Sequence, residues 1–208
     1  MSTAPKLSPA DLTALMCARV CHDLVSPISA LGTALEVLDD PNNADMHDDA
    51  LDLVRMSARQ ASGKLQYLRL AFGAGGSAPG VLGLDALKTL VDGLYGDAKA
   101  EVIWETQADS FQKSHARLLL NMLMLAVQSV PRGGTVRINT ADTAGRTITL
   151  IANGRRARLD PAIEGTLRGK APEDGFDERT IQPFYTGMIG RDLKGKLATH
   201  IDDETVTF

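Results

Sequence analysis

A histidine followed by an aspartate, Cys21-His22-Asp23-Leu24-Val25-Ser26-Pro27, is the stretch best equipped for chemistry in this chain. An imidazole is substantially neutral near pH 7 and can act as a nucleophile, and what one ring nitrogen bonds decides which lone pair is free on the other. Asp23 is placed to orient the ring or take a proton. Pro27 has no N–H to offer the carbonyl of Asp23 one turn earlier, so it leaves that carbonyl free and invites a local bend, a costly arrangement inside a helix. Ser26 and Ser29 are small and leave room for a docking surface. On spacing alone, a surface histidine is an ordinary solvated side chain; these neighbours together point to a reactive one.

The element that must carry His22 is an amphipathic helix from about Asp11 to Asp39. Stepping about 100° per residue, Cys17, Cys21, Leu24, Ile28, Leu31, Leu35 and Leu38 gather on one face, and Arg19, His22, Ser26, Ser29 and Thr33 on the other. Alternating steps of three and four are the period of a seam between packed helices, which points His22 to solvent. Ser8 can cap the helix with Pro9 in its first turn, and Asp39-Asp40-Pro41-Asn42-Asn43 ends it. A second run, Leu51, Val54, Ala58, Ala61, Leu65, Leu68 and Phe72, keeps the same period from about Asp45 to Phe72. Two such helices form an antiparallel hairpin, and two stripes are most simply hidden by a second copy, as a four-helix homodimer; packing against the rest of the same chain is the alternative. The register about Asn43 puts Gly63, Lys64 and Tyr67 level with His22. Arg19 either pairs with phosphate oxygens or makes an ordinary surface ion pair, and Lys64 either meets an acidic partner or phosphoryl group or is solvated.

Gly73-Ala74-Gly75-Gly76-Ser77-Ala78-Pro79-Gly80 reads as a linker that divides the chain into 1–73 and 80–208. Beyond it, Leu84 to Leu94, Ala116 to Val130 and part of Ile181 to Leu197 read as helices. Val102 to Thr106, Thr135 to Thr140, Thr147 to Ile151 and Thr205 to Phe208 read as strands, with a turn at Thr143-Ala144-Gly145-Arg146. Helices among mainly antiparallel strands make a two-layer α/β sandwich, so the fold class is α+β.

At 208 residues and 44% hydrophobic content, the chain can bury one good core or two small ones. A net charge of −4 and a pI near 5.5 argue against nucleic acid and for protein partners. No apolar run is expected to reach the length that crosses a bilayer, and Met1 to Pro9 lacks a signal peptide's apolar core, so no membrane and a cytoplasmic location are expected. Cys17 and Cys21 are expected to be buried free thiols. A disulfide or a metal site with His22 is the weaker alternative, and no metal or cofactor of the chain's own is expected.

His22-Asp23-Leu24-Val25-Ser26-Pro27 resembles the phosphoacceptor box of sensor histidine kinases. Continuing through Ala30, Gly32, Glu36 and Leu38, it is more similar still to the ChpT-type histidine phosphotransferases of alphaproteobacterial cell-cycle signalling. The downstream order resembles the ATP-binding (Bergerat-like) domain of histidine kinases with its nucleotide contacts changed. Leu118 to Leu123 through Pro131-Arg132-Gly133-Gly134-Thr135 is similar to the helix and turn of the N box. A kinase would carry a magnesium-binding asparagine where Leu125 stands and a polar or basic residue near Gln128, and Leu125 offers no oxygen. In Ile151-Ala152-Asn153-Gly154-Arg155-Arg156, Ala152 takes the place of the adenine-binding aspartate and Arg156 that of a glycine. The glycine-rich lid is missing, and Gln182-Pro183-Phe184-Tyr185-Thr186-Gly187 leads straight toward the last helix.

The resemblance implies a phosphorelay in which His22, oriented by Asp23, takes a phosphoryl group from the receiver aspartate of a hybrid kinase and passes it to response regulators, as in CckA-to-CtrA and CpdR signalling. Arg19, Ser26, Pro27, Ser29 and Lys64 would support the site or dock the receiver, and magnesium would sit on the receiver. An ATP-dependent kinase and a non-catalytic receiver-binding adaptor are the rival readings. Arg155, Arg156 and Arg158 form a basic run that is either a solvated loop or a docking site for an acidic partner.

Overall fold

A computed structural model describes residues 7–73, 79–142 and 146–208. Most of the glycine-rich linker, the turn at 143–145 and residues 1–6 therefore lie outside the described residues. Helix α1 spans Pro9–Asp39, and Ser8 caps it by accepting from the Asp11 N–H at 3.1 Å. After a 3-10 segment at Pro41–Met46, α2 runs His47–Ala71 and returns antiparallel along α1.

The interior of the hairpin is built from small and polar residues as well as apolar ones. Pro27 and Ala34 of α1 and Ala50 and Ser57 of α2 are buried there. Part of the stripe expected to be covered is open: Ile28, Leu35, Leu51 and Leu65 are exposed large apolar residues, joined by Val25 and Met56. Cys17 and Cys21 head this stripe and are exposed free thiols, which corrects the expectation that they are buried. The three-four period divides between surfaces: Ile28, Leu35, Leu51 and Leu65 are exposed, Leu24, Leu31, Leu38 and Val54 are half-buried, and Leu68 belongs to the core.

By length and apolar content α1 could cross a bilayer, against the expectation that no run reaches that length. Its middle nonetheless carries Arg19, His22 and Asp23, groups that are costly in hydrocarbon. The apolar content follows from the exposed stripe together with the packed side.

The second part of the chain follows as β1 (Val81–Gly83), α3 (Leu84–Tyr95), β2 (Ala100–Glu105), β3 (Ser110–Gln112), α4 (Lys113–Ser129), β4 (Gly134–Thr140), β5 (Ile148–Asn153), α5 (Pro161–Leu167), α6 (Ile181–Asp192), β6 (His200–Asp202) and β7 (Thr205–Thr207). Five strands form a sheet in the order β2-β4-β5-β7-β6, in which β2 and β4 run parallel and the other neighbours antiparallel; β1 and β3 pair separately. Helix α4 is the spine of the core, buried along nearly its whole length, with Leu119, Leu120 and Leu123 fully enclosed and Val136, Ile138 and Leu150 beneath it on the sheet. The peptide Gln182 to Gly187, read as leading toward the last helix, is itself the first half of α6.

Stem and sandwich share buried polar bonds. The Tyr67 hydroxyl donates to the Leu120 carbonyl at 2.7 Å, and Asn121 Nδ2 donates to the Ala71 carbonyl at the end of α2, also at 2.7 Å. Gln182 Nε2 in turn donates to Asn121 Oδ1 and to Thr186 Oγ1, each at 3.0 Å. The buried Asn121 amide, satisfied at both its nitrogen and its oxygen, fixes relative position far better than apolar contact alone. Gly63 of α2 faces Gly93 of α3 so closely that a Cβ on Gly63 would overlap the Gly93 carbonyl.

Candidate functional site

His22 sits in the middle of α1 with its side chain 64% exposed, and its Nδ1 lies 3.2 Å from Asp23 Oδ1. An ionised carboxylate can only accept, so this contact draws the proton to Nδ1 and leaves the Nε2 lone pair facing solvent. Asp23 is far less open, with its side chain 18% exposed. The other carboxylate oxygen, Oδ2, accepts from Arg19 Nε at 3.0 Å.

Arg19 departs from its expected place. The helix period puts it on the solvent face with His22, yet it is buried, and its second donor, Nη1, reaches the backbone carbonyl of Glu178 in the sandwich at 2.9 Å. The cause is tertiary: α1 packs on α6, and the segment leading into α6 covers Arg19. Neither an ordinary surface ion pair nor a free phosphate clamp describes this side chain. It is a fork held at both ends.

Lys64 lies level with the histidine, as the antiparallel register requires. Its Nζ donates to the Asp23 carbonyl at 2.9 Å. That carbonyl is the one Pro27 leaves unpaired, and Pro27 is buried within the helix. The second arm thus supplies the donor that the first arm lacks, directly beneath His22. Ser26 and Ser29 are exposed on the same face as His22.

Two tyrosines floor this region. Tyr67 and Tyr95 meet edge to face, with centroids 5.6 Å apart and planes at 85°. Burial pushes both phenols well above their ordinary range, and the Asp23 carboxylate raises Tyr95 further, so both stay neutral beside the ion pair. Sequence reasoning named Tyr67 by level alone and missed Tyr95 and the Glu178 carbonyl.

Two positions singled out by the resemblance to kinase domains are buried. Leu125 is 1% exposed and Ala152 is fully buried in β5. Arg156 holds a φ of 63°, the left-handed conformation that glycine adopts most readily, so the backbone keeps a glycine's geometry beneath an arginine. The cleft lined by Leu125, Gln128, Ser129, Arg158, Leu159 and Asp160 measures about 190 Å³, below the roughly 300–1,000 Å³ usual for small-molecule sites. Arg155, Arg156 and Arg158 are all exposed, and Arg158 also borders this cleft. Among the described residues, no group of three or more His, Cys, Asp or Glu side chains is arranged to hold a metal ion.

A family model described as the histidine phosphotransferase C-terminal domain matches residues 84–205. Over 210 aligned positions, the chain is 36% identical to the protein phosphotransferase ChpT of Brucella abortus (strain 2308), covering 100% of this chain and 99% of that protein. Among solved structures, one described as a bacterial phosphotransferase superposes with a TM-score of 0.88 at 32% identity, covering 100% of this chain and 98% of that one.

Proposed function

This chain belongs to the histidine phosphotransferases of the ChpT type, and on that premise we propose that His22 carries a phosphoryl group between the aspartates of cytoplasmic receiver domains. Nε2 attacks the phosphorus of an aspartyl phosphate on a docked receiver. The P–N bond forms as the P–O bond to the aspartyl carbonyl breaks, and the receiver's carboxylate departs with the electron pair. The proton stays on Nδ1, and the positive charge that develops on the ring is met by Asp23. A second receiver's aspartate then reverses the step. Magnesium for this chemistry would come with the receiver, and Ser26, Ser29 and the exposed edge of α1 would give it room to approach.

One observation carries the reading: an imidazole, 64% exposed on a long helix and bonded through Nδ1 to a carboxylate that is itself anchored. The donor is proposed to be a hybrid kinase and the acceptors its response regulators, in a relay of the CckA-to-CtrA and CpdR kind that serves cell-cycle control. The buried positions Leu125 and Ala152, with the small cleft beside Leu125, support a sandwich that binds no ATP and contributes a flank to the docking surface. The exposed stripe of Val25, Ile28, Leu35, Leu51 and Leu65 supports a homodimer that closes a four-helix bundle.

The test is transfer of labelled phosphate from a phosphorylated hybrid-kinase receiver. His22→Ala is expected to bind the receiver and to lose transfer by on the order of 10³-fold or more, and ATP alone is expected to label neither protein. Retained transfer in His22→Ala would sink the proposal, and saturable ATP binding would sink its second half.

A further inference from the structure

The contacts that reach His22 do not stop within the stem. Asp23 Oδ1 meets the imidazole, Asp23 Oδ2 holds Arg19 Nε, and Arg19 Nη1 holds the Glu178 carbonyl of the sandwich. That carbonyl lies inside a tightly bonded turn. Asp177 Oδ1 accepts from the backbone N–H of Arg179 at 3.1 Å, from that of Thr180 at 2.9 Å and from the Thr180 hydroxyl at 2.6 Å. The Asp177 N–H in return donates to Thr180 Oγ1 at 2.9 Å. The turn also opens α6, since the Ile181 N–H donates to the Asp177 carbonyl at 3.0 Å. Of the two residues that hold the turn, neither Asp177 nor Thr180 hydrogen-bonds the stem itself.

We propose that the Asp177–Thr180 turn of the sandwich, acting through the Glu178 carbonyl and the guanidinium of Arg19, sets the orientation and tautomer of the His22 imidazole. Arg19 and Thr180 are then positioning residues, and the sandwich contributes to the reactivity of a histidine that lies on another element.

The physical basis is the difference between a carboxylate held at one end and one held at both. Asp23 alone could rotate about its side-chain bonds and release Nδ1 to water. A planar guanidinium that bonds Oδ2 on one side and a fixed peptide carbonyl on the other removes that freedom. Because Asp23 is mostly shielded and His22 mostly open, the control comes from beneath the ring and leaves its attacking face clear. In enzymes, such outer partners orient the reactive groups they never touch.

The kinetic part of this inference rests on the relay reading above, while its spectroscopic part does not. Arg19→Lys keeps a cation near Asp23 and lacks the fork that also reaches Glu178. Thr180→Ala loosens the turn from the sandwich side without touching the stem, and Thr180→Ser restores the hydroxyl. In the full-length protein, nitrogen NMR of the His22 ring is expected to show the Nδ1–H tautomer dominating in the unmodified chain and in Thr180→Ser. Both Arg19→Lys and Thr180→Ala are expected to move toward the mixture of an unheld imidazole. Single-turnover transfer from a hybrid-kinase receiver charged with a small acyl phosphate should slow by about tenfold in those two variants, with receiver affinity changed less than about twofold and recovery in Thr180→Ser.

An unchanged ring signature in both variants overturns the proposal, whatever their transfer rates, and so does a shift in Arg19→Lys alone, which would confine the effect to the stem. A shift in both variants of a protein that accepts no phosphate upholds the coupling and instead sinks the relay reading.

Discussion

Lys64 and Asp177 act by giving partners to backbone groups, and each makes a measurable difference at the scale of one side chain. Replacing Lys64 by Met strands the Asp23 carbonyl, which Pro27 cannot serve. The expected cost is about 1–3 kcal/mol, read as a fall in Tm that Lys64→Arg largely restores. Asp177 carries the other case, because the Thr180 hydroxyl bonded to its carboxylate holds it below the usual carboxylate range. A depressed carboxylate stabilises the fold above its ordinary titration range, and that contribution disappears as pH falls through the lowered value. The Tm difference between the unmodified chain and Asp177→Asn should therefore be present at pH 6 and shrink on acidification below about pH 4. A gap that widens in acid would contradict the assignment.

Among the elements, the crossing of α2 and α3 is where a small change should do most damage. Gly63 and Gly93 let the two helices touch backbone to backbone one residue from Lys64. Gly63→Ala should force them apart at a cost of about 1–3 kcal/mol despite the better helix propensity of alanine, checked by denaturant midpoint. The long helices were legible because their signals are local: the Ser8-Pro9 start, the Pro41-Asn42-Asn43 stop and a sustained period. Of the four three-residue strands, β7 has the alternating Thr205-Val206-Thr207-Phe208 to mark it, whereas β1, β3 and β6 carry no such pattern and only their partners define them. Helix α5 did carry a readable start in Asp160-Pro161, where the Asp160 side chain caps the Ala162 N–H at 2.8 Å. The parallel pairing of β2 with β4 had no sequence mark, since pairing direction depends on the path of the chain between them.

At the scale of the whole molecule, the exposed stripe makes the most direct prediction. Ile28→Glu with Leu35→Glu should convert the proposed dimer to a species of 22.2 kDa in sedimentation, with little change in helix content. His22, Asp23, Pro27 and Lys64 could be read together from one motif and an antiparallel register. Arg19 could not, because its second partner is a peptide carbonyl 159 residues away, and a carbonyl has no side-chain identity to recognise. The exposure of Cys17 and Cys21 escaped for a related reason: an apolar period states that a face is covered and leaves open which surface covers it. One consequence follows from the bond between Lys64 and the Asp23 carbonyl. Sliding or twisting one arm against the other would break it at the level of His22, so any such motion carries the loss of a hydrogen bond beside that ring.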